Sequence, residues 1–452
     1  MSLFGTAGIR GPVTEVTPSL ALKVGRALAH VIPDAAGETV VIGRDGRITG
    51  PALVHALTAG LLSGGVTVRR LGRVPTPALA FASQDRFGVM LTASHNPPSD
   101  NGIKLFADGV EFDSARERSI ERAVDETVAP VDWHRWERGE GLTVMERYRN
   151  RVARFARSHG ADPTSLHIVV DCGNGMATVA TPQVLRTMGA TVESINSHVD
   201  GHFPGRESKP TPETIGDLRR LVADGPASVG FAHDGDADRI VVVDEDGEVV
   251  HEDTIVAILA EQHVSVSDTT DPVVLTTPNA STRIDERVRA AGGRVERVNL
   301  GALHEGIASA RGRGVTVVFA AEPWKHLHPE LGGWIDGVAS AAVLARLIAT
   351  ADGLDTLRTP ISERPYRKVS IDCPERKKSA TMARLTTALP DQFPDSEVSD
   401  EYGLRLEFPT DSWILVRPSG TEPCVRIYAE GAAVDNLIHA TASVVRTAVE
   451  AA

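Results

Sequence analysis

Cysteine is scarce: Cys172, Cys373 and Cys424 are the only three in 452 residues. Odd in number and far apart, they offer no disulfide framework, which points to a reducing compartment. Basic residues are also in deficit, 47 Lys and Arg against 60 Asp and Glu, for a formal net charge of -13. That balance argues against a nucleic-acid partner. Long apolar runs are missing. The longest apolar helix candidate, Val338 to Ala351, is interrupted by Arg346 and is shorter than the roughly 20 residues a membrane span needs, so no membrane association is expected. The chain opens Met1-Ser2-Leu3-Phe4-Gly5, without the basic region and apolar run of a signal peptide. The expected location is the cytoplasm. A dinucleotide fingerprint is absent as well. Gly5-Thr6-Ala7-Gly8-Ile9-Arg10-Gly11 is glycine-rich, but too few residues precede it to build the strand such a motif requires.

What remains is an ordinary globular composition, 42% apolar and 24% charged, in a chain too long for one core; size alone suggests about three or four domains. Short apolar runs alternate with helical patterns. Thr39 to Gly43 precedes the helix candidate Pro51 to Ser63; His167 to Asp171 precedes Thr181 to Met188; Val273 to Leu275 precedes Ser281 to Ala291. This alternation predicts α/β layers with parallel or mixed sheets, in three similar stretches. Near residue 366 the pattern changes to a smaller α+β unit, with strands Lys368 to Asp372 and Trp413 to Arg417 and a last helix from Asp435 to Glu450. The expected domains are 1–140, 141–252, 253–363 and 364–452. The expected linkers are Val131 to Thr143 and Pro360 to Pro365.

Two segments carry chemistry together. Thr92-Ala93-Ser94-His95-Asn96-Pro97 offers a hydroxyl on a tight polar loop, and Asp234-Gly235-Asp236-Ala237-Asp238-Arg239 offers carboxylates at alternate positions. In an extended loop that spacing points Asp234, Asp236 and Asp238 to one side, a set suited to Mg²⁺ with room left for a substrate phosphate. A hydroxyl that carries a phosphoryl group beside such a cage is a minimal apparatus for phosphoryl transfer without ATP. Ser94 needs orientation and relief of its proton to act; read alone, it is a turn residue bonding its own backbone. Lys104 moves protons or offsets phosphate charge, or is a solvated cation. An EF-hand reading of the aspartate loop fails because Arg239 replaces the required glycine and Ile240 to Val243 reads as a strand. An Asp-rich surface turn stays open.

Arg417-Pro418-Ser419-Gly420-Thr421-Glu422-Pro423, with Arg426 nearby, combines an arginine, two hydroxyls and a glycine that can hold a phosphate through charge-assisted and backbone hydrogen bonds. A plain strand-to-strand turn is the rival. Gly43-Arg44-Asp45-Gly46-Arg47 is read equally as phosphate-binding or as an ion-paired structural turn.

Taken together these segments resemble the α-D-phosphohexomutase family, which interconverts 6-phospho and 1-phospho sugars. The resemblance runs end to end: the start is similar to the family's F-G-T-x-G-I-R-G, followed in family order by the phosphoserine, metal and C-terminal phosphate loops. Asp171-Cys172-Gly173-Asn174-Gly175 and Asp200-Gly201-His202-Phe203-Pro204 fit too. The resemblance implies three similar α/β domains, with mixed sheets sandwiched by helices, and a smaller C-terminal α+β domain around a central cleft. It implies a phosphorylated Ser94, with Lys104 and His95 as catalytic partners. Mg²⁺ would be held by Asp234, Asp236, Asp238 and the phosphoryl group on Ser94. Arg10 and Arg239 would contact substrate. Arg417, Ser419, Gly420, Thr421 and Arg426 would hold the non-reacting phosphate. A sugar 1,6-bisphosphate would be both intermediate and activator, small sugar phosphates the partners, and the assembly a monomer or homodimer.

The sugar loop departs from the family pattern G-E-x-S-G-H. Here Ala320-Ala321-Glu322-Pro323-Trp324-Lys325-His326 keeps Glu322 and His326, while Trp324 and Lys325 stand in place of serine and glycine. Glu322 is expected on the sugar hydroxyls, His326 in the substrate site, and Lys325 on a phosphate. Trp324 either stacks on the sugar or packs the loop. Asp100 to Lys104 and Arg417 to Thr421 look most like phosphoglucosamine mutases. Phosphomannomutase or phosphoglucomutase activity is the alternative. A sugar-phosphate-binding protein without turnover is a reading of another class.

Overall fold

The computed structural model describes residues 3–5, 8–32, 37–126, 128–420 and 422–452. Four sheets follow one another along the chain. The first has seven strands, in the order Ile9–Pro12, Asp100–Ala107, Phe87–Leu91, Thr39–Arg44, Thr67–Arg73 and Gly139–Gly141, with Val110–Glu111 beside Asp100–Ala107. Its centre is parallel, but Asp100–Ala107 runs antiparallel to Phe87–Leu91, with Met90 opposite Lys104. The reversal is made by the loop that carries Ser94. The second sheet orders Ile240–Val243, Val229–His233, His167–Asp171 and Thr191–Ile195; the third orders Arg294–Arg297, Val273–Thr276, Val317–Glu322 and Lys325–Leu327. In both, one antiparallel pair sits on a parallel core. The fourth is wholly antiparallel, from Tyr366–Asp372 to Glu397–Ser399.

The mixed α/β layers and the C-terminal α+β sheet match the architecture read from the sequence. Among the helices, Pro18–Val31 is capped by Thr17, whose Oγ1 accepts from Leu20 N, and Ser114–Asp125 by Asp113. Such caps satisfy N–H groups that the first turn leaves unpaired.

Two stretches expected as linkers are pinned in place. Gly139–Gly141 pairs in parallel with Thr67–Arg73 as an edge strand. Arg364 donates to Thr282 Oγ1 at 3.0 Å, while its own carbonyl accepts from Arg283. The apolar run Val338 to Ala351 forms the helix Gly337–Ala351, buried from Gly337 to Ile348. It packs on Met145–Phe155 and Thr181–Thr187, in helix layers associated with the second sheet. One continuous apolar core therefore runs from Val41 to Ile361 through the first three units, whereas the C-terminal sheet keeps a core of its own. No helix among the described residues is long and apolar enough to cross a membrane.

Candidate active site

The Ser94 loop is built by a buried ion pair. Asp45 and Arg47 meet at 3.0 Å, and neither is more than 2% exposed. The Arg47 guanidinium donates to the carbonyls of Ser94, Asn96, Pro97 and Asp100, and Thr92 Oγ1 donates to Asp45 at 2.8 Å. Of the two readings of Gly43 to Arg47, the ion-paired turn is therefore the one adopted. Ser94 itself has φ 51°, a left-handed conformation that a non-glycine residue occupies at a cost of order 1–3 kcal/mol and that clusters at functional sites. A tight polar loop is ordinarily exposed to solvent. Instead Ser94 is fully buried, because the aspartate loop lies across it. Gly235 makes this approach possible: a Cβ there would stand 2.7 Å from the Ser94 carbonyl oxygen.

The aspartate loop is not extended. It turns between Val229–His233 and Ile240–Val243, with Ala237 at φ 60°. Its carboxylates converge through this turn rather than through alternation, and their ligand atoms lie within 4.8 Å of one another. Ser94 Oγ donates to Asp234 Oδ2 at 2.8 Å, and Thr76 Oγ1 to Asp236 Oδ2 at 2.6 Å. Asp236 Oδ1 and Asp238 Oδ1 are buried without a hydrogen-bond partner. Hard oxygen donors, packed and only partly satisfied, fit a small divalent cation. Burial, then the charges of Asp238 and Asp236, push the Asp234 carboxyl well above its ordinary range. Burial also opposes ionisation of Asp238, but Lys104 and Arg239 outweigh it and hold that carboxyl low.

Lys104 is not a surface cation. It is 2% exposed, with Nζ at 3.0 Å from Asp238, 3.4 Å from Glu111 and 3.6 Å from Asp236. Burial alone would lower its pKa; Asp238, Glu111 and Asp236 outweigh that and keep it protonated. His95 Nδ1 lies 3.4 Å from Ser94 Oγ. Burial, with Arg239 and Arg10 close by, pushes the imidazole down to about 3, so it is neutral near pH 7.

Arg10, Lys104, Asp238, Arg239, Glu322 and Lys325 line one pocket. The sugar loop there is a tight hairpin, Glu322 opposite Lys325, with Trp324 at φ 63°. Lys325 Nζ lies 3.3 Å from Glu322 Oε2, and Glu322 also accepts from Gly301 N. Trp324 packs against the apolar cluster between the second sheet and the helix Gly216–Asp224, which includes Val169, Leu218 and Val241, so it anchors the hairpin to that unit. His326 turns away from the pocket. It is 2% exposed beneath the hairpin, with Nδ1 at 3.0 Å from Ser340 Oγ.

The C-terminal residues form a separate group. Arg417 and Arg426 are cross-strand partners, and Arg426 also binds Glu422 at 2.9 Å. Ser419 Oγ accepts from Glu422 N, while Lys378 Nζ holds the carbonyls of Ser419 and Glu422. Gly420 lies in the same turn; Thr421 falls outside the described residues. This group does not line the pocket of Glu322, but the charge of Glu322 reaches Arg417.

Several contributors were not singled out in the sequence: Thr76, Glu111 and His304, the last two lining the pocket with Lys104. Glu111 lies in a two-residue edge strand and His304 in the first turn of Leu303–Gly312; neither has a local motif. The Asp171 and Asp200 motifs act as support. Arg206 joins Asp171 Oδ2 at 2.6 Å to the carbonyl of His233, just ahead of the aspartate loop.

Comparison with known proteins gives a consistent result. Residues 1–129 match "Phosphoglucomutase/phosphomannomutase, alpha/beta/alpha domain I", residues 146–247 its domain II, and residues 371–448 its C-terminal domain. Among curated proteins, a "Phosphopentomutase" of Thermococcus kodakarensis is 40% identical, covering 95% of this chain and 94% of the relative. A "Probable phosphoglucosamine mutase" of Methanopyrus kandleri is also 40% identical, with 94% and 93% covered. Among solved structures, a phosphoglucomutase/phosphomannomutase family protein of Burkholderia thailandensis aligns with TM-score 0.83 at 25% identity, covering 98% of this chain and 97% of its own. The N-acetylphosphoglucosamine mutase of Aspergillus fumigatus, solved with GlcNAc-6P and magnesium, aligns at 0.64 and 15% identity, covering 99% and 95%.

Proposed function

We propose that this chain, which belongs to the phosphoglucomutase/phosphomannomutase family and is a phosphomutase, an isomerase that moves phosphate within a sugar phosphate, works through a phosphoserine at Ser94. The observation that carries this reading is the 2.8 Å contact between Ser94 Oγ and Asp234 inside the buried aspartate triad. Ser94 donates its phosphoryl group to the free hydroxyl of the sugar phosphate: the Ser94 Oγ–phosphorus bond breaks as the sugar oxygen–phosphorus bond forms, and Ser94 Oγ takes up a proton as the hydroxyl gives one up. The resulting bisphosphate turns over in the cleft and returns the other phosphate to Ser94. Asp234, Asp236 and Asp238 hold Mg²⁺, which when bound offsets the charge of the phosphoryl oxygens.

The remaining roles belong to side chains of the chain itself. Lys104, kept protonated by its carboxylate partners, donates rather than accepts a proton in this arrangement. Glu322 accepts from sugar hydroxyls. Arg417, Ser419, Gly420, Thr421 and Arg426 hold the phosphate that is not reacting, and Arg10 and Arg239 contact the substrate. His326, buried on Ser340, supports the hairpin rather than touching sugar. Burial of Ser94 limits loss of its phosphoryl group to water. A sugar 1,6-bisphosphate primes the enzyme.

For the sugar we place glucosamine 6-phosphate first, supported by relatives named for that activity. A pentose phosphate is the second reading. Lys325, bulkier than the glycine of the family pattern, sits on Glu322 and narrows the sugar site, and one relative at 40% identity is named a phosphopentomutase. The test is phosphorus NMR with Mg²⁺, a trace of bisphosphate, and glucosamine, glucose, mannose and ribose 1-phosphates offered separately. Conversion to the terminal phosphate is expected, fastest for glucosamine. Ser94→Ala is expected to fold normally and lose turnover; retained mutase activity in that variant would refute the phosphoserine.

A further inference from the structure

A second polar cleft, of about 560 Å³, lies away from the aspartate triad, where the third sheet meets the C-terminal sheet. Its size is in the range that holds small metabolites, about 300–1,000 Å³. One wall is the strand Arg294–Arg297 and the face of Leu303–Gly312 bearing Gly306 and Ser309; the other is the turn 399–403 and the strand Leu404–Glu407. The walls are already joined by two bonds from the C-terminal unit to carbonyls of the third: Arg405 Nη1 to Pro278 at 2.7 Å and Tyr402 OH to Arg297 at 2.8 Å.

Three guanidiniums line this cleft, and two have spare donors. Arg405 is 6% exposed, lies over the Trp413 ring at 4.2 Å, and gives Nε to Glu407 at 2.8 Å. Its Nη2 is buried and has no acceptor. Arg297 commits both terminal nitrogens to Asp285, at 2.9 and 2.8 Å, yet its Nε is also buried without an acceptor. Arg313 reaches the rim, held by Ser309 Oγ at 3.0 Å and Glu296 at 2.6 Å. An unpaired buried donor is costly, more so when charged, and an acceptor bound against either guanidinium relieves that cost. The carboxylates on the walls are largely engaged. Glu296 is held by Arg294 and Arg313, and Glu407 by Arg405. They remain able to accept from hydroxyls.

We propose that this junction cleft is a second ligand site, which takes the oxyanion of a small phosphorylated metabolite between Arg405, Arg297 and Arg313. Phosphate oxygens match guanidinium donors in geometry and charge. The wall carboxylates suit hydroxyls carried by the same molecule. Because the walls belong to two units, the bound oxyanion ties the C-terminal sheet to the third sheet.

The test is a tungstate soak of crystals of the full chain, with the ion located by its anomalous scattering. Density is expected at Arg405 and Arg297, separate from any at Arg417 and Arg426. Arg405→Met is expected to abolish it. Arg313→Met, on the half-exposed rim and safe for folding should Arg405→Met fail, is expected to weaken binding roughly ten-fold. No junction density at a tungstate concentration that fills the Arg417 and Arg426 group overturns the proposal, as does density unchanged in both variants. A companion soak with glucose 6-phosphate separates the sources. Sugar density against Glu296, Glu401 or Glu407 assigns the site to a metabolite, whereas phosphate density alone assigns it to the free ion and overturns the metabolite assignment.

Discussion

Arg47→Met removes the organiser of the Ser94 loop while keeping most of its side-chain volume. In the parent, Arg47 pairs with Asp45 at 3.0 Å and donates to four loop carbonyls. The substitution leaves Asp45, itself fully buried, with donors only from Thr92 Oγ1 and the residue 47 amide. Breaking a buried ion pair from one side costs about 3–5 kcal/mol. Each carbonyl left without its donor adds up to about 1 kcal/mol, reduced where the loop relaxes towards water. A total on the order of 5 kcal/mol follows. At roughly 2–4 °C per kcal/mol, calorimetry should show the transition that includes the N-terminal sheet fall by about 10–20 °C. The companion Asp45→Asn/Arg47→Met removes the stranded charge and should recover about 2 kcal/mol of the loss. Limited proteolysis should cut the single variant between residues 94 and 100 much faster than the parent. A fall of less than about 3 °C, or a double variant no more stable than the single, would refute the assignment of the pair as the support of the loop.

Three further outcomes are expected. Asp236→Asn removes one anionic oxygen set from the triad and should raise the Mg²⁺ concentration needed for half-maximal activity by at least roughly ten-fold; an unchanged metal titration places the cation elsewhere. Trp324→Ala strips the hairpin of its anchor on the second sheet and should cost about 1–3 kcal/mol, less than for a fully buried aromatic because Trp324 is half-buried; KM is expected to rise more than kcat falls, and an unchanged KM refutes the anchor. Burial pushes His159 down to about 4 and His326 to about 3, and holds His263 and His328 well below their ordinary value. Depressed pKa values in the fold mean that the unfolded chain binds more protons below about pH 6.5, so this stability is present above that pH and lost as pH falls towards 4. Urea unfolding at pH 5.5 against pH 6.5 should show a loss of roughly 1 kcal/mol per histidine, and a flat profile refutes their neutral burial. His159→Phe, at a ring whose nitrogens have no partner, should reduce that slope.

Local chemistry made much of this protein legible. Alternating apolar runs and turns gave the α/β layers, because each strand and helix must bury a face whose period is written in its own residues. Ser94, the three aspartates and the Arg417 to Pro423 turn each sit in a short motif, since a phosphate or a cation must be met by groups held close together along the chain. Glu111 and His304 had no such signal: their work is done on partners far along the chain, and the two share one pocket. Trp324 was equally consistent with sugar stacking and with loop packing until the second sheet was seen beneath it. The same holds for His326, whose place in a familiar motif gave no sign that its ring turns to Ser340.

What the sequence determined by itself is therefore the inventory: which elements form, which residues carry a hydroxyl, carboxylates or guanidiniums, and in what order. Tertiary structure decided their relations. It laid the Gly235 turn over Ser94, drew Lys104 into the aspartates, fused three units through one apolar core, and left a polar cleft beside the fourth. The physical reason is range. Propensity, capping and turn chemistry act over a few residues and are readable locally, whereas burial and unscreened charge act between surfaces that meet only when the chain is folded.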